Sequence, residues 1–523
     1  MLLFYQQKQQ LGREVFFEYD IYMDLEQIKS PLPPRRTDST PTDDLEEEKK
    51  TIPQIPIDRP IEPPTAVSVE VPKTKEKIKI NFKWIIALVV LLVLGLVLFF
   101  VFFNKKKEIK ETVTLNYWGL WEEPAIINGV IADFEKENPG IKINYKRNQL
   151  NDYRTRLAGR LAKSGNNEAE EVDIYRIHNT WIPMFRQYLA PVPNELVTKI
   201  GLENDYWNIY KDDLKENNNW LSVPIMYDGL ALFYNQELLD ASKIAIPDDW
   251  WELEQAAKKL TVKDKNGNIE ISGAGIGIVN GNVDHWSDIL GLMMKQNGIN
   301  FSQIKTGFDK NLEDVLKYYA SFAKSTDFIW NENMPSTTSL FASGKLAFYF
   351  GPSWRVFDIE KLNKNLKYGI TTVPQLPING GFTGDDTELT NIHWATYWTE
   401  GVNNKSKYQA EAWKFVEFLS SKEVLEKLYT AQSQTRSFGE IYPRKSMSES
   451  LKNNNKVWPF VSVADNAKSW YLASATDDDG LNTEMQKYFA DAVNQMSQSE
   501  VGSILSNLKN GISQIQQKYS LRK

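Results

Sequence analysis

Tryptophans and small polar residues recur together along residues 112–523, each group placed where a segment that reads as a β-strand ends. Trp118, Trp121 and Glu122 close the first such segment, and Asn179 and Trp181 follow the third. Tyr227 and Asp228 sit in MYDGLAL (226–232). Further on, AGIGIVNGNVDHW (274–286) runs from a strand through Asn280 to Trp286, GPSW (351–354) places Trp354 after KLAFYF, and NIHW (391–394) offers His393 and Trp394. Flat aromatic faces with a few fixed polar groups suit a ligand that presents C–H faces and many hydroxyls, as sugars do. The plainer alternative for each tryptophan is a core anchor, the role read for Trp413 on AEAWKFVEFL. Asp228 has the alternative of bracing the chain locally, and His393 that of a satisfied structural histidine.

Other chemistries find less support. The chain has no cysteine, which excludes disulfides, thiolate catalysis, Cys-ligated zinc and iron–sulfur clusters. Its three histidines, His178, His285 and His393, would all be needed for a histidine-rich metal site. GAGIG (273–277) lacks the strand-to-helix context of a phosphate-cradling turn. DKNGN (264–268) lacks the full ligand spacing and closing Glu of a calcium loop and reads as an Asn-Gly hairpin turn. SNLK (506–509) has none of the companion motifs of a serine acylase. The acidic run Asp477–Asp479 reads as a solvated loop or a cleft lining. Formal net charge of −7 argues against nucleic acid as a partner. No catalytic residue, metal or cofactor is expected.

The elements that must position these residues alternate. VTLNYW (113–118) reads as a strand, EPAIINGVIADFEKENPG (123–140) as an amphipathic helix closed by Asn-Pro-Gly, and IKINYKR (141–147) as the next strand. DYRTRLAGRLAKSG (152–165) reads as a helix and VDIYRIH (172–178) as a third strand. Strand–helix–strand units of this length imply an α/β fold with a parallel sheet, whose ligands sit beyond the C-terminal ends of the strands.

The N-terminal part has another texture. Residues 84–103, WIIALVVLLVLGLVLFFVFF, run for twenty positions without a charge. That length matches the roughly 30 Å hydrocarbon core of a bilayer, so a transmembrane helix is expected there. With 83 residues ahead of it, the segment does not read as a cleavable signal peptide. Residues 1–83 form a proline-spaced tail expected to be largely disordered and cytoplasmic, and 104–111 a basic juxtamembrane linker. Lysines flank the span almost evenly, so charge alone does not orient it.

The segments YWGLWEEPAIINGVIADFEKENPGIKI, VDIYRIHNTWIPMFRQYLAPV and VPIMYDGLALFYNQELLDASKIAIPDDWWELEQAAKKLT resemble the extracellular solute-binding proteins of ABC transporters, in particular the sugar-type group. LFASGKLAFYFGPSWR, YGITTVPQLP and YQAEAWKFVEFLSSKEVLEKL continue the likeness in the same order. The resemblance implies a two-lobed, type II periplasmic-binding-protein-like fold over 112–523, with hinge crossovers near 226–232, 371–377 and 436–443. It also implies cleft aromatics at positions such as Trp286, Trp354 and Trp394, a carbohydrate ligand and ABC permease subunits as partners. A solute receptor belongs outside the cell, which orients the span. A sensor or adhesin that signals through the tail is the alternative, and a glycosidase a more distant one, since no motif marks its carboxylate pair.

Overall fold

In the computed structural model the described residues are 86–87, 89–95, 112–165, 171–279, 281–382, 384, 388–496 and 500–521. The tail 1–83 and the linker 104–111 lie outside them, as does Asn280. Contacts divide the chain into Met1–Phe103 and Asn104–Lys523. In the first unit, residues 86–87 and 89–95 are helical, with exposed side chains such as Leu91 at 72%. The rest of the expected span 84–103 lies outside the described residues. Among the described residues no helix is long and apolar enough to cross a membrane.

The second unit has two five-stranded sheets. The first is formed by Val113–Gly119 (β1), Ile141–Arg147 (β2), Ile174–His178 (β3), Val223–Pro224 (β4) and Trp398–Val402 (β10). Between them the chain builds the second, from Ala231–Asn235 (β5), Val262–Lys263 (β6), Ile269–Ala274 (β7), Leu346–Gly351 (β8) and Tyr368–Thr371 (β9). The orders are β2-β1-β3-β10-β4 and β9-β5-β8-β7-β6. The helix Pro124–Glu137 begins with proline in its first turn and buries Ile127, Val130, Ile131 and Phe134. That i, i+3, i+4, i+7 stripe returns the chain beside β1, with β2 parallel to it from Val113↔Ile141 onward. Phe134 meets Phe415 at 4.9 Å between ring centroids, joining this helix to Gln409–Leu419 in one core.

Neither sheet is purely parallel, contrary to the expectation from the alternating pattern. β1 is parallel to β2 and β3, but β10 is antiparallel to β3 and to β4, and β5 is antiparallel to both β8 and β9. The cause lies in the crossings. β5 and β10 each enter a lobe from the other one, at the end facing the cleft, so they run against strands that finish there.

The crossings themselves lie side by side. Leu230 N donates to Trp394 O at 3.0 Å, Thr396 N to Asp228 O at 3.0 Å, and Tyr227 N to Ile441 O at 2.8 Å. The first crossing, 225–230, and the segment near 441 fall where the resemblance implies. The remaining one does not: residues 371–377 stay on the second lobe, where Gln375 N bonds Asp248 O at 2.9 Å and Gln296 Nε2 bonds Pro374 O at 3.0 Å. The chain changes lobes at 395–397 instead.

Several local readings take definite form. Asp249 accepts from Glu252 N at 2.7 Å and caps the helix Trp250–Leu260, while Trp250 is fully buried and stacks on Phe350 at 5.5 Å. Gly273 lies where a Cβ would approach Ala257 O to 1.9 Å, so this glycine lets β7 pack directly on that helix. Residues 264–268 form the turn of an antiparallel hairpin, with Asp264 accepting from Asn266 N and Asn268 N.

Candidate functional site

Between the two sheets lies a cavity of about 380 Å³. Five Trp and Phe rings line it: Trp121 and Trp398 from the first lobe, Trp354 and Phe357 from the second, and Phe438 from the segment beside the crossings. Trp121 and Trp398 meet edge to face at 5.1 Å, and Trp181 supports Trp398 from behind in the same geometry at 5.1 Å. Trp354 directly precedes the helix Arg355–Leu362 and is 37% exposed, with the Arg355 guanidinium 4.2 Å from its ring centre. Phe357 and Phe438 pack at 4.7 Å.

Polar groups line the cavity too, and most are tied into the fold. Asp228 accepts from Gly229 N at 2.7 Å and from Ser353 N and Oγ at 3.0 Å each. It thereby fastens the first crossing to the turn that carries Trp354. Burial pushes its carboxyl up to about 7, and the three hydrogen bonds oppose that rise. Asp288 accepts from Trp394 Nε1 at 2.8 Å and from the backbone and hydroxyl of Ser474. His178 contacts Thr180 Oγ1 at 2.7 Å and Thr396 Oγ1 at 2.9 Å. Burial pushes His178 down to about 4, which keeps it neutral near pH 7. His285 contacts Ser474 Oγ at 2.8 Å and accepts from Arg355 Nε at 2.9 Å, and burial lowers its pKa as well.

Of the twelve residues singled out from sequence, Trp121, Asp228 and Trp354 line this cavity. Trp118 is buried under the Lys146 ammonium, 4.8 Å from its ring, and Trp181 is fully enclosed behind Trp398. Trp394 donates to Asp288 and its ring edge abuts Gly291, while Trp286 opens the helix Trp286–Gln296 with 7% exposure. Asn179 donates to Asp213 at 2.8 Å, and Tyr227 pairs with Ile441. His393 is buried against Asn391 at 3.1 Å, and burial pushes it down to about 4. These seven do not line the cavity. Of these, Trp181 packs against the lining Trp398 and Trp394 donates to the lining Asp288.

Glu122 also stands outside, bordering a small pocket of about 20 Å³ next to the main cavity. It ion-pairs with Arg176, which also binds Glu400 at 2.7 Å; all three are buried. Tyr117 donates to the same Glu400 oxygen at 3.0 Å. Burial raises the Glu400 carboxyl against the pull of Arg176. The second oxygens of Glu122 and Glu400 take no hydrogen bond. Arg176 lies 5.5 Å from the Trp121 ring, so this cluster backs the aromatic wall.

The acidic run has a divided role. Asp478 is fully buried and accepts from Gly480 N, Asn482 N and Thr483 N, fixing the start of the helix Leu481–Gln495. Asp477 and Asp479 are exposed. Ser474 and Ala475, just ahead of the run, line the cavity.

Lining residues not singled out from sequence include Trp398, His178, Phe357, Phe438, Arg436 and Glu440. Trp398 had a readable signal. Its strand pairs antiparallel with β3 in the register Trp398↔His178, so its first residue stands at the cleft end where β3 finishes. Searching only beyond strand C-termini passes over such a position. Among the described residues, no group of three or more His, Asp or Glu is placed to hold a metal.

Asp228 gives a pH prediction. Its carboxyl is raised from 3.8 to about 7 on folding. The folded state therefore binds the extra proton, and the associated stability is present below about pH 4 and lost as pH rises through about 7. Asp228→Asn removes this contribution. Urea titrations of both proteins at pH 4, 5, 6, 7 and 8 should show wild type losing stability relative to the variant, by a few kcal/mol in all. Parallel pH profiles would contradict the assignment.

The fold and this cavity define a two-lobed binding protein with an aromatic-lined cavity between its lobes. Residues 129–457, more than half of the chain, match the bacterial extracellular solute-binding protein family, and the chain belongs to it. Among its relatives is the multiple sugar-binding protein of Streptococcus mutans, 24% identical over 338 residues that cover 62% of this chain and 76% of that protein. Solved structures share the fold. An ABC transporter solute-binding protein of Thermotoga lettingae, bound with α-D-tagatose, aligns with a TM-score of 0.58 at 19% identity, covering 77% of this chain and 99% of its own. The GacH receptor of Streptomyces glaucescens, solved unliganded and with acarbose, gives 0.58 at 19% identity, covering 78% and 99%. These relatives are solute-binding proteins rather than enzymes.

Proposed function

We propose that this chain is a membrane-anchored receptor that captures a sugar or oligosaccharide in the interlobe cavity and delivers it to an ABC permease. The observation that carries the reading is the cavity of about 380 Å³ walled by Trp121, Trp354, Phe357, Trp398 and Phe438. Rings of this kind offer stacking area for the C–H faces of a saccharide at low entropic cost. The sugars named for the relatives support the same class of ligand. Trp121, Asp228 and Trp354 line this cavity, which supports reading them as ligand contacts.

Contacts to both lobes favour the closed arrangement, and the permease is the partner that reads it. A ligand moves the open–closed population only as far as its affinities for the two forms differ. The uncharged stretch 84–103 supports an anchor, and the match to an extracellular solute-binding family supports placing residues 112–523 outside the cytoplasm. A tether would hold the receptor near its permease at high effective concentration.

A thermal-shift screen of the full chain in detergent tests the ligand, with mono- and oligosaccharides, amino acids, peptides and polyamines. A ligand at 100 times its Kd stabilises the folded state by about 2.7 kcal/mol. Saturating shifts confined to saccharides are expected. Shifts confined to amino acids, peptides or polyamines would overturn the reading. Fractionation of cells tests the anchor: the chain should stay in the membrane pellet through an alkaline carbonate wash and leave it only in detergent.

A further inference from the structure

The cavity carries more carboxylates than cations, yet its polar side chains are not equally free to meet a ligand. Asp228 receives three hydrogen bonds from its own surroundings, and Asp288 is held by Trp394 and Ser474. His178 and His285 use both ring nitrogens within the fold. Arg436 and Glu440 differ. Arg436 donates from Nη2 to Glu440 Oε1 at 2.8 Å and lies 4.7 Å from the Phe357 ring. Its Nε is buried without a partner. The Glu440 backbone is fixed by Gln432 Oε1 at 2.8 Å, and its Oε2 takes no hydrogen bond among the described residues. Both residues belong to the segment that reaches the crossings at Ile441.

From this arrangement we infer that Arg436 and Glu440 are the specificity-determining pair of the cavity, and that they select an uncharged saccharide through neighbouring hydroxyls. The inference rests on the saccharide reading above and narrows it. One donor and one acceptor, already neutralising each other, match two adjacent hydroxyls, one accepting from Arg436 and the other donating to Glu440. A carboxylate or phosphate on the sugar meets the free Glu440 oxygen and loses hydration, while Arg436, the one Arg or Lys among the described lining residues, is already neutralised by Glu440. An ammonium meets the Arg436 guanidinium and incurs the mirror-image cost. The aromatic rings supply contact area, and this pair supplies the discrimination.

Calorimetric titration of the full chain in detergent tests the pair, with glucose, galactose and mannose each as neutral sugar, uronate and 2-amino sugar. Wild type should bind its preferred neutral sugar at least 10-fold more tightly than either charged form. Glu440→Gln leaves the guanidinium uncompensated and should shift the uronate-to-neutral affinity ratio upward at least 10-fold. Arg436→Gln leaves the carboxylate and should shift the amino-to-neutral ratio upward by a similar factor. Variants that change all three forms by one common factor, or none of them, would overturn the inference while leaving a saccharide receptor in place. Binding of no sugar by wild type would sink this inference, and the screen above decides whether the saccharide reading falls with it.

Discussion

Arg176→Met should cost the folded state about 3–5 kcal/mol, the largest loss expected from a single substitution in the cluster behind the cavity wall. Arg176 is 1% exposed and pairs with both Glu122 and Glu400, themselves 6% and 0% exposed. Each carboxylate already has one oxygen without a hydrogen bond. Removing the guanidinium leaves two buried acids facing each other's field, and at least one must take up a proton or draw water inward. Urea denaturation of the full chain at pH 7 reads the loss. Adding Glu122→Gln and Glu400→Gln to Arg176→Met should restore part of it, because neutral amides carry no charge to desolvate. A loss below about 1 kcal/mol in the single variant would show that the cluster is hydrated rather than buried.

Trp354→Ala should lower saccharide affinity about 30-fold, roughly 2 kcal/mol, with little effect on folding. The separation of the two effects follows from exposure. At 37%, Trp354 contributes less to the core than the fully enclosed Trp181, Trp250 or Trp394, while still lining the cavity. The helix after it is anchored by buried Val356 and Ile359 and does not depend on the indole. Titration of the variant with whichever saccharide stabilises wild type most, beside a urea curve, checks both halves. An unchanged affinity would remove Trp354 from the contact surface.

Much of the folded unit was legible because its local signals agree. The strands at 113–119 and 141–147 and the helix between them follow from alternation, a single apolar stripe and the Asn-Pro-Gly stop. What sequence did not reveal depends on chain direction and enclosure. β10 enters from the neighbouring lobe, so Trp398 reaches the cleft from the start of a strand rather than its end. The crossing at 395–397 escaped for a related reason, since the proline-containing 371–377 resembles a linker but is held by Gln375 and Gln296. Tryptophan by itself does not tell core from cleft. Trp394 and Trp354 both follow short strand-like segments, yet one is 1% exposed with its Nε1 committed to Asp288 and the other stands open at the cavity. Their difference arises from which neighbouring helix covers the ring. Arg436 and Glu440 fall in 436–443, read from sequence only as a hinge crossover; the contact of Arg436 with Phe357 and the place of both in the cavity lining mark them as site residues.

Everything above turns on whether the aromatic cavity between the lobes binds a saccharide. Calorimetric titration of the full chain with the saccharide giving the largest thermal shift, on wild type and Trp354→Ala side by side, tests it most directly. One saturable site per chain is expected, with binding about 30-fold weaker in the variant. Equal binding by both proteins, or binding by no saccharide, would contradict it.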